Sequence, residues 1–259
     1  TIKIISGITK PSSGDVLIDG ISVIKHPEQT KRKIGWMSAE SILDDDLTAM
    51  ENIEVQAKLN GVKEWKEEAE NLLKYFEIYE FRDKKTSIFS TGMRKKLEIA
   101  IALINHPSIM LLDEPTIGLD VNTRSVLWKL IKKINKERRI TVLLTTHYME
   151  EAEELCNRVA IIDAIDSPEE LIRKYGINTI EVKLKKKINI KGFEIISTSP
   201  DSTNIIIKSH SPEEDLLKLI RKYGEYIESF KISHATLDSA FLHLTGEFLS
   251  EEKYDQKQI

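Results

Sequence analysis

The spacing of apolar and polar positions changes along the chain, and its first half is mostly helical. From about residue 48 to residue 105 the apolar residues recur every three or four positions. Glu64–Ile78 is the clearest case, because its large side chains fall on one helical face: Trp65, Ala69, Leu72, Leu73 and Phe76. Met93–Ile104 is predicted as a second amphipathic helix, preceded by Ser90-Thr-Gly.

A different rhythm follows, in which short continuous apolar runs alternate with helical segments. The predicted order is an apolar run, a helix, a run, a helix and a run: Ile109–Leu112, Asn122–Asn135, Ile140–Leu144, His147–Cys156 and Arg158–Asp163. Continuous apolar strands separated by helices indicate a sheet buried on both faces, and such sheets are mostly parallel. The sequence therefore predicts an α/β fold with an inserted helical subdomain at 48–105.

Beyond Tyr175-Gly176 the pattern becomes that of a small α+β domain. Short alternating segments predict four strands: Thr179–Leu184, Phe193–Ser197, Asn204–Lys208 and Tyr226–Ile232. Two helices, Glu213–Lys222 and Leu237–Leu244, accompany them. We therefore expect a first domain at 1–175, a second at 176–246 and a polar tail at 247–259.

Composition and charge narrow the class of protein. Of the 259 residues, 41% are hydrophobic and 31% are charged, and the formal net charge is −4. This balance predicts a soluble globular protein without the basic field that attracts nucleic acids. No segment approaches the roughly 18 to 20 apolar residues that span a bilayer, so work at a membrane would require a partner. The single cysteine, Cys156, excludes an internal disulfide and fits a cytoplasmic location.

The strongest chemical signal is a pair of carboxylates at the end of an apolar strand. Asp113 and Glu114 directly follow the run Ile109–Leu112. In phosphoryl-transfer enzymes a carboxylate in this position holds Mg²⁺, and a second group orients the attacking water. Side chains alternate along a strand, so the two carboxylates can take separate roles. The segment alone is equally consistent with a solvated strand end.

Three further segments are ambiguous when each is taken alone. Ser90 with Gly92 could form an anion site at a helix N-terminus, but a plain Ser cap is the simpler interpretation. His147 follows an apolar strand and could reach a phosphate oxygen, or only cap or pack a helix. Gly118-Leu119-Asp120 would by itself be a turn followed by an N-cap.

Taken in order, these segments resemble the ATP-binding-cassette (ABC) family over residues 1–176. Phe89-Ser-Thr-Gly-Met-Arg is similar to its signature sequence, and Leu111-Leu-Asp-Glu-Pro-Thr to its Walker B strand. Gly118-Leu-Asp resembles its D-loop, and Thr146-His147 its switch histidine. Thr236–Gly246 and Ser167–Leu171 resemble the exporter branch that includes daunorubicin-resistance ATP-binding subunits.

The resemblance implies a P-loop NTPase-type fold that hydrolyses ATP with Mg²⁺. Asp113 would hold the Mg²⁺ shell, Glu114 would polarise the water, and His147 would stabilise the γ-phosphate. Two cassettes, identical or paired, would bind two ATP molecules head to tail. Residues Ser90, Thr91, Gly92 and Met93 of one cassette would touch the nucleotide held by the other, and Asp120 would belong to the same site. The segment after Ala39 would dock onto a separate transmembrane permease, which places the subunit at the inner face of the cell membrane.

The sequence departs from the family at several points. Its phosphate loop, which ends in Gly-Lys-Ser/Thr, is absent from these residues. The chain as given is therefore expected to be inactive. Ala39 occupies the position of the usual Q-loop glutamine, with Glu40 beside it as a possible substitute, and Thr91 stands where glycine is usual. Between Asp163 and Ala164 we expect several residues of a hairpin to be missing.

Two other functions remain open at this stage. A soluble ABC ATPase of translation or DNA repair usually carries a second cassette or a long coiled coil, and neither pattern occurs here. A regulatory module that does not hydrolyse ATP would explain Ala39 and the missing loop, but not the intact Glu114 and His147.

Overall fold

The computed structural model describes residues 1–161 and 164–245. The chain divides into two compact units, Thr1–His147 and Tyr148–Ile259. The sequence pattern places a domain boundary later, after Tyr175, and that boundary stays a prediction. Each unit is described separately below.

The first unit begins with small elements whose turns are set by glycine. These elements are α1 (Ile2–Ile5), β1 (Leu17–Ile18), β2 (Ile21–Ser22) and α2 (Pro27–Lys31). Gly7, with φ +74°, follows α1, and a glycine in this conformation is typical of a helix end. Strands β1 and β2 pair antiparallel through Asp19 and Gly20, whose φ angles are 50° and 78°. Positive φ at both central residues is typical of a tight hairpin turn.

A three-stranded parallel sheet forms the centre of the first unit. Its strands are β3 (Ile34–Met37), β4 (Ile109–Asp113) and β5 (Thr141–Thr145), in the spatial order β3-β4-β5. Met37 lies beside Leu112, which lies beside Leu144. Met110, Leu111 and Leu112 are fully buried, which confirms the interpretation of this apolar run as a central strand. The carboxyl ends of all three strands meet at one edge.

The region predicted as helical contains α3 (Ala49–Leu59), α4 (Lys66–Tyr75) and α5 (Thr91–Leu103), with short 3₁₀ turns at Tyr79–Phe81 and Thr86–Ile88. Helix α6 (Val121–Arg138) follows β4. Phe76 and the α4 residues predicted to share its face are fully buried, apart from Trp65 at 6% exposure. Gly35 in β3 lets α5 approach closely, since a Cβ there would lie 2.0 Å from the Ala102 carbonyl oxygen.

The second unit begins with a compact group of short elements. They are α7 (Met149–Leu155), β6 (Val159–Ile161), β7 (Ala164–Asp166) and α8 (Pro168–Tyr175). The third apolar run, predicted as part of the parallel sheet, instead forms β6, which pairs antiparallel with β7. This expectation was wrong because Ala164–Asp166 supplies a strand immediately after β6, and local pairing satisfies both backbones. The missing hairpin residues were predicted beside Asp163, which lies outside the described residues.

A four-stranded antiparallel sheet forms the rest of the second unit. Its strands are β8 (Asn178–Leu184), β9 (Glu194–Thr198), β10 (Asn204–Ser209) and β11 (Ile227–Ser233), in the order β11-β8-β10-β9. Helix α9 (Pro212–Tyr223) packs Leu216 and Leu219 against Ile180, Val182 and Ile207 of the sheet. Helix α10 (Leu237–Thr245) ends the described part of the chain, so the predicted tail lies outside it.

Candidate functional site

The candidate site lies at the edge where the three parallel strands of the first unit end. Asp113 is the last residue of β4, and Thr145 beside it is the last residue of β5. Ser38 directly follows β3, whose last residue Met37 pairs with Leu112, the neighbour of Asp113. The fold therefore brings three segments that are far apart in sequence to one place.

Thr145 connects the two carboxylate-bearing residues. Its hydroxyl donates a hydrogen bond to the Asp113 carboxylate. The backbone N–H of Glu114 donates to the Thr145 carbonyl at 3.1 Å and approaches its hydroxyl oxygen at 3.3 Å. This contact fixes how the chain leaves β4, and so it fixes the direction of the Glu114 side chain.

Glu114 has an unusual backbone and a close partner. Its φ angle is +50°, a left-handed conformation that costs energy in any residue except glycine. One carboxylate oxygen of Glu114, Oε2, lies 2.8 Å from Nδ1 of His147. Both side chains are partly buried, with exposures of 26% for Glu114 and 19% for His147. The structure thus brings into contact the two residues that the sequence proposed as catalytic, and one of them, Glu114, has a left-handed backbone conformation.

The signature-like residues form a helix N-terminus, as expected. Ser90 is the N-cap of α5, and its hydroxyl accepts a hydrogen bond from the Met93 N–H at 3.3 Å. Thr91, Gly92 and Met93 form the first turn, whose free N–H groups and dipole favour an anion. The cap and the anion site are compatible, because the cap uses one donor and leaves others available.

The D-loop-like residues lie beside this helix start. Gly118 has φ +75°, and Asp120 caps α6 by accepting from the N–H groups of Asn122 and Thr123, both at 3.0 Å. The Thr123 hydroxyl also donates to Asp120, and these hydrogen bonds lower the pKa of the Asp120 carboxyl. A Cβ on Gly92 would lie 2.7 Å from Cγ2 of Thr123. Gly92 therefore allows the start of α5 to pack tightly against the start of α6.

Ala39 and Glu40 lie just beyond β3, in a segment without regular structure. Both are exposed, and they follow Ser38 at the strand edge that holds Asp113. Ala39 has only a methyl group, so its side chain offers no ligand to a metal. Glu40 retains a carboxylate in the same short segment.

The donor set at Asp113 suits Mg²⁺. One oxygen of the Asp113 carboxylate accepts from Thr145, and the side chain remains partly exposed at the strand end. Among the described residues no cluster of three or more His, Cys, Asp or Glu side chains could hold a metal ion alone. Mg²⁺ commonly uses one or two carboxylates and completes its shell with water and phosphate oxygens. Asp113 fits that mode of binding.

Sequence reasoning missed several residues that shape the site. Thr145, which directly follows the predicted run Ile140–Leu144, was assigned no role, although it bonds both Asp113 and Glu114. Thr116 is fully buried, and its hydroxyl has no hydrogen-bond partner within the described ranges 1–161 and 164–245. Thr123 packs beside Gly92. Hydroxyl residues at or shortly after a strand end or helix start were the available signal, but this signal is common in loops.

The comparison with protein families agrees with this geometry. The family model described as "ABC transporter" matches residues 1–117. This range includes Ser90–Met93 and the carboxylate pair. Within the described residues, no helix combines the length and the apolar character needed to cross a bilayer.

Relatives match nearly the whole chain. The linearmycin resistance ATP-binding protein LnrL of Bacillus subtilis is 31% identical over 97% of this chain and 86% of its own length. The daunorubicin/doxorubicin resistance ATP-binding protein DrrA of Streptomyces peucetius is 29% identical over 95% of this chain and 80% of its own length. The Nod factor export ATP-binding protein I of Cupriavidus metallidurans is 34% identical over 95% of this chain and 84% of its own length.

Solved structures support the same assignment. The chain resembles cbiO1 of Clostridium perfringens, part of the ABC transporter complex cbiONQ, with a TM-score of 0.59, 26% identity and coverage of 67% of this chain and 73% of that one. It also resembles the dimeric post-hydrolysis state of the ATP-binding cassette MJ0796 bound to ADP and Pi, with a TM-score of 0.55, 29% identity and coverage of 64% and 78%. The chain belongs to the ABC transporter family, as an ATP-binding subunit of the branch that includes the daunorubicin-resistance proteins.

Proposed function

We propose that this subunit hydrolyses ATP to drive export through a separate transmembrane permease at the inner face of the cell membrane. Similarity to proteins named for drug resistance and Nod factor export supports the outward direction. Similarity to cbiO1, which is part of a transporter complex, supports a partner on another chain.

The observation that carries the proposal is the Glu114–His147 pair next to Asp113. With Mg²⁺ bound, the ion would neutralise charge on the phosphate oxygens. Asp113 would hold this ion, while Thr145 orients its carboxylate. Glu114 would accept a proton from the attacking water, and His147 would keep the Glu114 carboxylate aimed through the 2.8 Å contact.

The proposal includes a head-to-tail pair of cassettes. Ser90, Thr91, Gly92 and Met93 lie at the N-terminus of α5, where they would bind an anion, and in this arrangement they would meet the nucleotide of the partner cassette. The capped Asp120 turn packs beside it and would line the same interface. The similarity to a cassette solved as a dimer supports this pairing.

Replacing Glu114 tests the catalytic assignment. In the natural protein, carrying a phosphate loop of the family's type, Glu114→Gln should bind ATP normally and lose most hydrolysis, roughly a hundredfold or more. The amide cannot accept the proton, so an ATP-bound dimer should accumulate in size-exclusion chromatography. Hydrolysis at the parent rate would remove Glu114 from the mechanism.

The 259-residue chain is the control, and we propose that it binds ATP only weakly in calorimetry because the phosphate loop is not among its residues.

A mixing experiment tests the pairing and excludes the regulatory alternative. Ser90→Arg should block dimer closure and leave ATP binding by the monomer nearly unchanged. Mixing it with Glu114→Gln creates one site with an intact Glu114 and an intact Ser90. If that site can hydrolyse ATP alone, hydrolysis should partly return. Loss of ATP binding by the Ser90→Arg monomer would show that Ser90 acts on its own subunit's nucleotide. A parent protein without hydrolysis in the presence of its permease would favour the non-hydrolysing regulatory module.

A further inference from the structure

Arg94 is a side chain whose contacts the proposed mechanism does not use. It lies in the first turn of α5, directly after Met93, and its side chain is 23% exposed. Its guanidinium donates to the Asp45 carboxylate, to the Thr86 carbonyl at 3.0 Å and to the Ser41 hydroxyl at 3.4 Å. One planar group thus contacts two separate parts of the chain, which a guanidinium does better than a flexible ammonium.

Two of these acceptors lie in the segment that leaves the candidate site. This connecting segment, residues 38–47, begins directly after β3, whose last residue pairs with Leu112 next to Asp113, and it leads to α3. Its second half is fixed to the helical region: the Asp44 N–H donates to the Asn52 side chain at 2.8 Å, and the Thr86 hydroxyl donates to the Asp44 carbonyl at 2.7 Å. Arg94 adds a contact in the first half, at Ser41, two residues after Ala39.

The side chain of Ala39 cannot transmit the binding of a phosphate or metal at the strand edge to the rest of the connecting segment. It has no polar atom, and it lies exposed in an irregular stretch. A displacement of residues 38–40 by a bound phosphate or metal therefore has to travel along the backbone to Ser41 and Asp45. Arg94 holds both residues and belongs to the same rigid helical turn as Gly92 and Met93.

We propose that Arg94 is a positioning residue that couples the connecting segment to the start of α5. A shift of residues 38–41 on nucleotide binding would then reorient Ser90–Met93 toward the partner cassette. This inference rests on the proposed function, in which Ser90–Met93 meets the partner's nucleotide. It assigns to Arg94 a role in dimer closure and none in the monomer's own ATP binding.

The test measures ATP-driven dimerisation in the natural protein carrying Glu114→Gln, so that hydrolysis does not reverse the closed state. Arg94→Ala should weaken dimerisation roughly tenfold, the loss expected for hydrogen bonds to a charged group. Monomer affinity for ATP·Mg should stay close to the parent value. The midpoint of thermal unfolding should fall modestly, because the variant loses three hydrogen bonds within the monomer. Arg94→Lys should give an intermediate loss, because an ammonium keeps the attraction to Asp45 without the fork.

Two further variants separate coupling from simple stabilisation. Lys85→Ala is the matched control. Lys85 also forms an ion pair with the connecting segment, at 3.3 Å from Asp46, but it is the N-cap residue of the 3₁₀ turn at Thr86–Ile88 and does not belong to α5. It should dimerise like the parent. Asp45→Ala should weaken dimerisation, and adding it to Arg94→Ala should cost little more, because the two residues share one contact.

The outcomes distinguish the two proposals. Dimerisation of Arg94→Ala at the parent level, or a loss of dimerisation that follows a reduced ATP affinity of the monomer, would overturn the coupling role. Fully additive effects of Asp45→Ala and Arg94→Ala would also overturn it. Ser90→Arg measured in the same assay tests the proposed function: if that variant still closes, the head-to-tail pairing fails whatever Arg94 does.

Discussion

At the scale of single residues, Glu114 shows how this site combines chemistry with strain. Its carboxylate lies 2.8 Å from His147, while its backbone adopts φ +50°. Residues held in such conformations persist when their surroundings over-determine them, and here the Glu114 N–H is held by Thr145. The sequence indicated Glu114 by its place after an apolar strand, but nothing in the sequence indicated the strained backbone.

The strain can be measured by comparing two substitutions. Glu114→Gly and Glu114→Ala both remove the carboxylate and should both abolish hydrolysis. Glycine adopts a positive φ without steric cost, so the Gly variant should be more stable than the Ala variant by about 1 kcal/mol. Urea unfolding of the two variants measures this difference. An Ala variant as stable as the Gly variant would mean that the turn relaxes and stores no strain.

At the scale of elements, the two helices α9 and α10 start with aspartates in opposite environments. Asp215 in the first turn of α9 bonds Lys218 and the Ser209 hydroxyl, and these contacts lower the pKa of its carboxyl. Asp238 in the first turn of α10 has its pKa raised by partial burial and then by the carboxylates of Glu153 and Glu150. Glu153 also accepts a hydrogen bond from the Leu237 N–H at 2.8 Å, so it caps α10 from α7.

The two aspartates should therefore respond oppositely to neutralisation. The folded pKa of Asp238 is raised, so its ionised form costs stability at pH 7, and that cost disappears as pH falls through the raised pKa. The folded pKa of Asp215 is lowered, so its ionised form contributes stability at pH 7 that is lost as pH falls through the lowered pKa. Asp238→Asn should raise the thermal midpoint at pH 7, and Asp215→Asn should lower it.

The thermal midpoints of both variants and of the parent protein are measured at pH 7 and at acidic pH, and each variant serves as the control for the other. The effect of each substitution should shrink toward the acidic end, where the parent carboxyl becomes protonated in the folded and unfolded states alike. Shifts of the same sign at pH 7 would show that the neighbouring charges do not control these two helix starts.

At the scale of the whole molecule, the packing inside the second unit bears on the domain boundary that the sequence predicts after Tyr175. A cluster of buried residues joins α10 to the elements before Tyr175: Met149, Ala152, Ile161, Leu171 and Leu237. Gly176 also packs closely here, since a Cβ on it would lie 2.8 Å from the Ala235 Cβ. A helix from the end of the chain thus completes the core around α7 and α8.

Two fragments can decide the boundary. A fragment of residues 148–245 keeps this cluster, whereas a fragment of residues 176–245 leaves Leu237, Phe241 and Leu244 without their partners. Each buried leucine contributes roughly 1.5–3 kcal/mol, so the shorter fragment should be several kcal/mol less stable or lose α10. Circular dichroism with urea unfolding compares the two. Equal stability would place the boundary after Tyr175, as the sequence pattern predicts.

The sequence by itself determined most of the elements and the family. Helix α4, the buried strand β4 and the four strands β8 to β11 were predicted within a few residues, because apolar periodicity is a local property. The order of Ser90-Thr-Gly-Met, Asp113-Glu114, Gly118-Leu-Asp and His147 identified the ABC resemblance, because those residue types are required by the chemistry. Ser90 and Asp120 were placed as helix caps for the same local reason.

The tertiary structure alone decided which of these elements and side chains meet. The apolar run before Asp163 pairs with Ala164–Asp166 and not with the parallel sheet, since strand pairing depends on which backbone is available nearby. Glu114 faces His147 only because β4 and β5 lie side by side. The contacts of Arg94 with Ser41 and Asp45 join positions about fifty residues apart. Such pairings follow from the packing of the whole unit, and no local pattern of residues encodes them.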